Sequence, residues 1–254
     1  MIARPSPNHG PRPPGRVPDM LLLHYTGMPD RDSALARLCD PAWAVSAHYT
    51  VDEEGTIYAH VPEERRAWHA GRGCWQGDRD VNSRSIGLEL VNPGHEFGYR
   101  PFPAPQIAAV IDLATGICAR WAIAPAAVLG HADIAPARKE DPGELFPWPV
   151  LAAAGIGLWP EAPENPERPQ ETAAPVGTSA LPSAATLSAL LHRYGYDPQV
   201  PLSALWRAFC RHFHPEALEL PLPVGDGCGA PLFPIRRTQE SLRRLHSLLR
   251  LAGC

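Results

Sequence analysis

Lysine is almost missing from this 254-residue chain: of 23 basic residues 22 are arginine, and Lys139 alone is not. A basic excess is missing too, because 27 acidic residues bring the formal charge to −4, which leaves no electrostatic footprint for nucleic acid. No apolar run approaches the roughly 20 residues that span a bilayer. Residues 1–19 are proline-rich, carry Arg4, Arg12 and Arg16, and lack the apolar core of a signal peptide. The six cysteines follow neither a zinc-finger spacing nor a disulfide framework, a usage that points to a reducing cytosol.

In so arginine-rich a chain, the one ammonium marks a place where a guanidinium does not serve. Arginine is broad, planar and forked, whereas lysine carries a compact charge on a slim stem that fits beside a small reacting group. Lys139 sits in the segment Gly130-His131-Ala132-Asp133-Ile134-Ala135-Pro136-Ala137-Arg138-Lys139-Glu140-Asp141-Pro142-Gly143. One loop thus offers an imidazole, an ammonium and a carboxylate. A catalytic zinc takes three protein ligands and keeps a fourth position open, so a third ligand is needed from elsewhere. His24 is the candidate, since it closes the apolar run Met20-Leu21-Leu22-Leu23, which reads as a buried strand. Ala127-Val128-Leu129-Gly130 likewise reads as a strand ending just before His131. Taken singly, either histidine also reads as a structural residue with satisfied hydrogen bonds.

A further carboxylate interrupts the apolar strand pattern Ser85-Ile86-Gly87-Leu88-Glu89-Leu90-Val91. Burying Glu89 without a partner is costly and raises its pKa, which suits a general base beside a metal. The alternative is an outward-facing residue on a half-buried strand. Alternation places Glu89 on the face of Gly87 and Val91, opposite Ile86, Leu88 and Leu90.

Together these pieces resemble the zinc-dependent N-acetylmuramoyl-L-alanine amidases that share a fold with phage amidase-lysozymes and peptidoglycan recognition proteins. The matching segments are Leu22-Leu23-His24-Tyr25-Thr26, Val45-Ser46-Ala47-His48-Tyr49, Arg66-Ala67-Trp68-His69-Ala70-Gly71, Asn82-Ser83-Arg84-Ser85-Ile86-Gly87-Leu88-Glu89 and the stretch from Gly130 to Gly143. They occur in the family's order over roughly residues 18–150. By position the resemblance makes His24, His131 and Asp141 the ligands of one Zn2+ per chain, Glu89 the catalytic carboxylate and Lys139 the residue that stabilises the transition state. It places His69 along the substrate groove, and Tyr25 and Arg138 are further substrate-binding candidates. The implied reaction is hydrolysis of the amide joining N-acetylmuramic acid, or its 1,6-anhydro form, to L-alanine of the stem peptide in peptidoglycan or muropeptides.

Two departures sharpen the match. Asp141 stands where the phage enzymes use a cysteine ligand, and Ala47 where they have a tyrosine, so no tyrosine role carries over. Tyr25-Thr26 resembles the bacterial lipoprotein-type amidases rather than the recycling enzymes, which leaves an anhydro-sugar requirement open. Binding-only relatives on this scaffold commonly lose a zinc ligand. All five residues are present here, which favours catalysis over a non-catalytic peptidoglycan-binding protein.

The expected fold is α/β, a mixed central sheet flanked by helices and followed by a small three-helix domain. Residues 1–17 read as an N-terminal arm, 18–159 as the catalytic domain, 160–182 as a Pro-rich linker and 183–254 as a helical peptidoglycan-binding-like domain. Residues 104–121 space Ile107, Val110, Ile111, Ala114, Ile117, Cys118 and Trp121 as a helix, and Asp30–Leu38 reads as a shorter one. Gly55 marks a hairpin, whose His48 and His60 read as structural. In the last segment three apolar stripes predict three helices, and Leu191-His192-Arg193-Tyr194-Gly195-Tyr196 with the run from Trp206 to Pro215 resembles the domain appended to lipoprotein-type amidases. His212 and His214, two apart on a helix, point to different sides and read as surface residues. This segment has 8 basic and 5 acidic residues against 15 and 22 in the rest, a mild basic bias that fits an acidic polymer. A wall-binding module suggests the envelope, so cytoplasm and periplasm or outer membrane stay open. The chain is expected to act as a monomer.

Overall fold

The computed structural model describes residues 1–160, 181–225 and 235–254. In chain order the strands and helices are β1 (Ile2–Ala3), β2 (His9–Pro11), β3 (Met20–Tyr25), α1 (Arg31–Cys39), β4 (Tyr49–Val51), β5 (Ile57–Ala59), β6 (Arg65–Ala67) and β7 (Ser85–Leu90). They continue with α2 (Gly94–Phe97), α3 (Ala104–Trp121), β8 (Val128–Gly130), α4 (His131–Ile134), α5 (Trp148–Ala153), α6 (Ala184–Tyr194), α7 (Leu202–Phe213) and α8 (Ile235–Leu251). The sheet order is β1-β5-β4-β7-β3-β8, with β4 and β5 antiparallel and the other pairs parallel. This is the mixed sheet with helices on its faces that the sequence predicts.

Why β3 is central follows from its residues. Four apolar side chains in a row demand burial on both faces, and all four are fully buried. Leu21 and Leu23 face one side, packing with Ile86, Leu88 and Leu90 of β7 against Val110, Ala114 and Ile117 of α3. Met20 and Leu22 face the other side, with Leu129 of β8. Each large side chain buried in this way contributes about 1.5–3 kcal/mol. Alternation then sends His24 to the face of Met20 and Leu22. Register carries Glu89 with it, because His24 pairs with Glu89 and Leu22 with Gly87.

That second face is covered by the C-terminal helices. Leu187, Leu191, Leu205, Phe209, Leu245 and Leu248 share one apolar cluster with Met20, Leu22, Trp75 and Ile134. Trp75 meets Tyr194 and Tyr196 edge-on at 5.2 and 5.3 Å. The three expected helices therefore form a third layer on the sheet, with a core continuous with the catalytic part. The expected linker, residues 160–182, lies almost wholly outside the described residues, as does the stretch 226–234 with Cys228. No helix among the described residues is long and apolar enough to cross a membrane.

Two expectations change. The first 17 residues were expected as an arm, yet β1 pairs with β5 and β2 with β6, and the Arg4 and Ser6 amides donate to Ala59 and His60 carbonyls. Strands this short and proline-rich carry no period for a sequence reading to find. His212 and His214 are buried rather than on the surface, at 3% and 2% exposure. They do point to different sides, but both sides are covered: His212 lies against Trp148, and His214 Nδ1 meets Ser241 Oγ of α8 at 2.7 Å. His48 and His60 are structural as expected. His48 Nδ1 accepts the Gly87 amide, and His60 bonds Thr50 and the Arg4 carbonyl.

Candidate active site

Three parallel neighbours, β7, β3 and β8, end side by side and deliver the site. His24 comes from the last turn of the β3 pleat, His131 from the residue after β8, and Asp141 from the loop that follows α4. His24 Nδ1, His131 Nδ1 and Asp141 Oδ2 lie 2.9–3.0 Å from one another. All three side chains are buried, at 1%, 3% and 4% exposure, and they form a group able to hold a metal ion.

Hydrogen-bond direction says what these atoms are. Ser85 O–H donates to the Val81 carbonyl at 2.6 Å, so Ser85 Oγ is left to accept from His69 Nε2 at 3.3 Å. Burial, reinforced by the nearby His24, holds the His69 pKa well below 6.5, so its ring is neutral and its Nδ1 is bare. His69 Nδ1 then accepts from His24 Nε2 at 3.0 Å. Burial, with the charge of His131, lowers the His24 pKa to about 4 against the pull of Asp141, so His24 too is neutral and Nδ1 is its bare nitrogen. His131 Nε2 lies 2.9 Å from the Ala70 carbonyl and 3.3 Å from Arg138 Nη2, and its Nδ1 turns to Asp141 at 3.0 Å. For Asp141, burial alone would raise the pKa, but the neighbouring His131 outweighs it and holds the carboxyl well below the usual carboxylate range. The three atoms thus lie within reach of a single ion, a buried group that could hold a cation.

The other expected residues surround this group. Glu89, one strand over, is half-buried, and its Oε2 is sealed from solvent without a hydrogen-bond partner. Burial, then Asp141, raises its pKa well above 4.5, with Lys139 opposing. Lys139 lines the same cleft, about 640 Å³ in volume, and among the described residues its ammonium has no hydrogen bond or ion pair. Its neighbour Arg138 lines the cleft as well, donating to the carbonyls of Ala70 at 3.0 Å and Arg72 at 2.7 Å, with Nη2 3.3 Å from His131 Nε2. Arg138 therefore pins the 70–72 loop on which His131 rests, while Lys139 shares the cleft with His24, His131 and Asp141.

Tyr25 and His69 border the cleft with their polar atoms committed. Tyr25 O–H donates to His95 Nδ1 at 2.9 Å, His95 Nε2 reaches Glu144 at 3.1 Å, and burial pushes the Tyr25 pKa up to about 12. His69 lines the cleft and also holds His24, its Nδ1 meeting His24 Nε2 and its Nε2 meeting Ser85 Oγ. Its ring lies on Gly87, where a Cβ would meet it at 2.5 Å, so the glycine is what lets His69 reach His24. Sequence reading did not single out Asp133. Its place three residues after the Gly130 N-cap was the available signal, and its Oδ2 accepts the Gly130 amide at 2.8 Å as a capping carboxylate does.

The family model described as N-acetylmuramoyl-L-alanine amidase matches residues 14–144, which contain every residue of this site. The chain belongs to that family. Among its relatives, this amidase is 41% identical over 221 residues to the N-acetylmuramoyl-L-alanine amidase AmiD of Escherichia coli, covering 77% of this chain and 75% of that one. The solved complex of AmiD with the substrate anhydro-N-acetylmuramic acid-L-Ala-D-gamma-Glu-L-Lys superposes with a TM-score of 0.71 at 36% identity, over 94% of the amidase and 91% of that chain. The 1,6-anhydro-N-acetylmuramyl-L-alanine amidase AmpD of Salmonella typhimurium is 35% identical over 166 residues, 59% of this chain and 87% of its own.

Proposed function

We propose that this chain is a zinc hydrolase that cleaves the amide between N-acetylmuramic acid, or its 1,6-anhydro form, and L-alanine of the stem peptide, acting on peptidoglycan or its muropeptides. The observation that carries this reading is the convergence of His24 Nδ1, His131 Nδ1 and Asp141 Oδ2 with a partnerless carboxylate oxygen and, among the described residues, an unpaired ammonium in one cleft. His24 Nδ1, His131 Nδ1 and Asp141 Oδ2 would hold one Zn2+, two neutral imidazoles and one carboxylate being a donor set that zinc takes. When bound, the metal supplies Lewis acidity toward the amide carbonyl and the attacking water.

The chain's own residues do the rest. Glu89, with its pKa raised by burial, accepts the proton of the attacking water and returns it to the departing L-alanine nitrogen. Lys139 opposes the negative charge that develops on the tetrahedral oxygen, a contribution of about 2.7–4 kcal/mol for a placed donor. Ser85 and His69 fix the His24 tautomer, while the Ala70 carbonyl and Arg138 orient the His131 ring. Tyr25 and Arg138 shape the cleft walls against which the muropeptide lies.

Incubation of the zinc-loaded chain with muropeptides, with and without the 1,6-anhydro sugar, tests the reading. Mass spectrometry should show a stem peptide with a free L-alanine amine and a sugar with a free lactyl carboxylate. No released peptide from either substrate would sink the enzyme reading and leave the binding-only alternative. Cleavage of both would exclude an anhydro-specific enzyme.

A further inference from the structure

The segment that carries His131, Lys139 and Asp141 has little structure of its own: a four-residue helix, a turn and a loop. Its outer side is held by side chains that come sixty to eighty positions later. Asp133, 1% exposed, accepts His212 Nδ1–H on Oδ2 at 2.7 Å and Tyr196 O–H on Oδ1 at 2.8 Å, beside the Gly130 amide. Next to His212 on α7, Arg211 reaches Glu140 at 2.8 Å and Glu144 at 3.4 Å, on either side of Asp141. One helix therefore grips both ends of the ligand-bearing segment.

The chemistry at position 212 separates grip from mere cover. The imidazole lies between Trp148 and Phe213, with ring centroids 3.7 Å away on each side and interplanar angles of 22° and 8°. Such an apolar slot would take phenylalanine. Histidine leaves its Nε2 buried without a partner, a cost that phenylalanine would avoid. What the imidazole adds is the Nδ1–H to Asp133. A buried carboxylate with its donors removed is unfavourable, and its relief is to move α4 toward water.

We propose that His212, Tyr196 and Arg211 are positioning residues for the metal site. The C-terminal helical layer then sets the placement of His131 and Asp141 through Asp133, Glu140 and Glu144, and is a working part of the active site as well as a cover for the sheet. The inference rests on the metal reading of the His24, His131 and Asp141 group, and the test separates the two.

Full-length His212→Phe, His212→Asn and Tyr196→Phe are compared with the parent in two measurements. Hydrogen–deuterium exchange of the zinc-free chains does not involve the metal; His212→Phe should raise exchange across residues 128–144 and leave β3 and β7 protected. Zinc affinity, by competition with a chromogenic chelator, should fall about tenfold in His212→Phe, the lower end for outer partners of metal ligands. His212→Asn restores a side-chain N–H near the Nδ1 position and should return to within about threefold of the parent, while Tyr196→Phe should lose about threefold. A folded His212→Phe with parental exchange and parental zinc affinity would overturn the proposal. Should His212→Phe fail to fold, Tyr196→Phe and Arg211→Gln decide, and parental values in both overturn it. A parent that takes up no zinc removes the metal reading, while the exchange result still decides whether α7 holds the segment.

Discussion

Replacing Glu89 with glutamine keeps the side chain's shape and removes its capacity to take a proton. Paired strands lie about 4.8 Å apart with opposed residues on the same face, so the carboxylate stands beside the metal group it is proposed to serve. Loss of a positioned general base costs about 10²–10⁴-fold, or roughly 2.7–5.4 kcal/mol at 1.36 kcal/mol per tenfold. Zinc content should stay near one per chain, because the ligand atoms are untouched. Stability should move the opposite way. Burial and Asp141 raise the folded-state pKa of Glu89, so its ionisation costs nothing below the ordinary carboxylate range and destabilises the fold increasingly as pH rises through and above it. The zinc-free E89Q chain should therefore melt with the parent near pH 4 and above it at pH 8. Turnover on a defined muropeptide, with calorimetry at the two pH values, reads both effects. Turnover within threefold of the parent would refute the base assignment. A melting point below the parent's at pH 8 would refute the account of its burial.

Lys139→Arg should lower turnover at least tenfold with zinc content unchanged, since the charge stays while the broad guanidinium crowds the cleft; full activity in steady-state assays would remove the reason given for the lone lysine. Gly87→Ala brings a Cβ to 2.5 Å from the His69 ring and should destabilise by about 1–3 kcal/mol while weakening zinc binding, read by denaturant melts and chelator competition. Glu63, 6% exposed, would have its pKa raised by burial alone, but hydrogen bonds from Arg120, Trp121 and Tyr49 outweigh that and hold it below 4.5. Its stabilisation is thus complete above the ordinary glutamate range and lost as pH falls through the folded value. Between pH 5 and 3 the parent's melting temperature should drop more steeply than that of E63Q, and parallel curves would contradict this.

What could be read from the chain depended on repetition. The four consecutive apolar residues of β3, the helical spacing of α3 and the alternation of β7 each carry a period, and each is where the sequence placed it. His24, His131 and Asp141 were legible as candidates because strands ended at two of them and an ordered set of motifs tied them together. Contacts between distant parts of the chain carry no such period. Asp133 was not singled out, because its partners Tyr196 and His212 come from the third layer, more than sixty positions later. That His69 also holds His24 was not legible, because nothing local shows that Gly87 leaves room for its ring to reach that residue. The burial of His212 and His214 escaped for the same reason, since helical spacing shows where side chains point but not what covers them.

The central claim is that His24, His131 and Asp141 hold one zinc ion on which amide hydrolysis depends. Stepwise zinc addition to the metal-free chain, with release of stem peptide from a muropeptide followed at each step, tests it directly. Activity should rise linearly and level off at one zinc per chain, and Asp141→Ala should show neither uptake nor cleavage. Cleavage by the metal-free chain, or by Asp141→Ala at the parental rate, would contradict it.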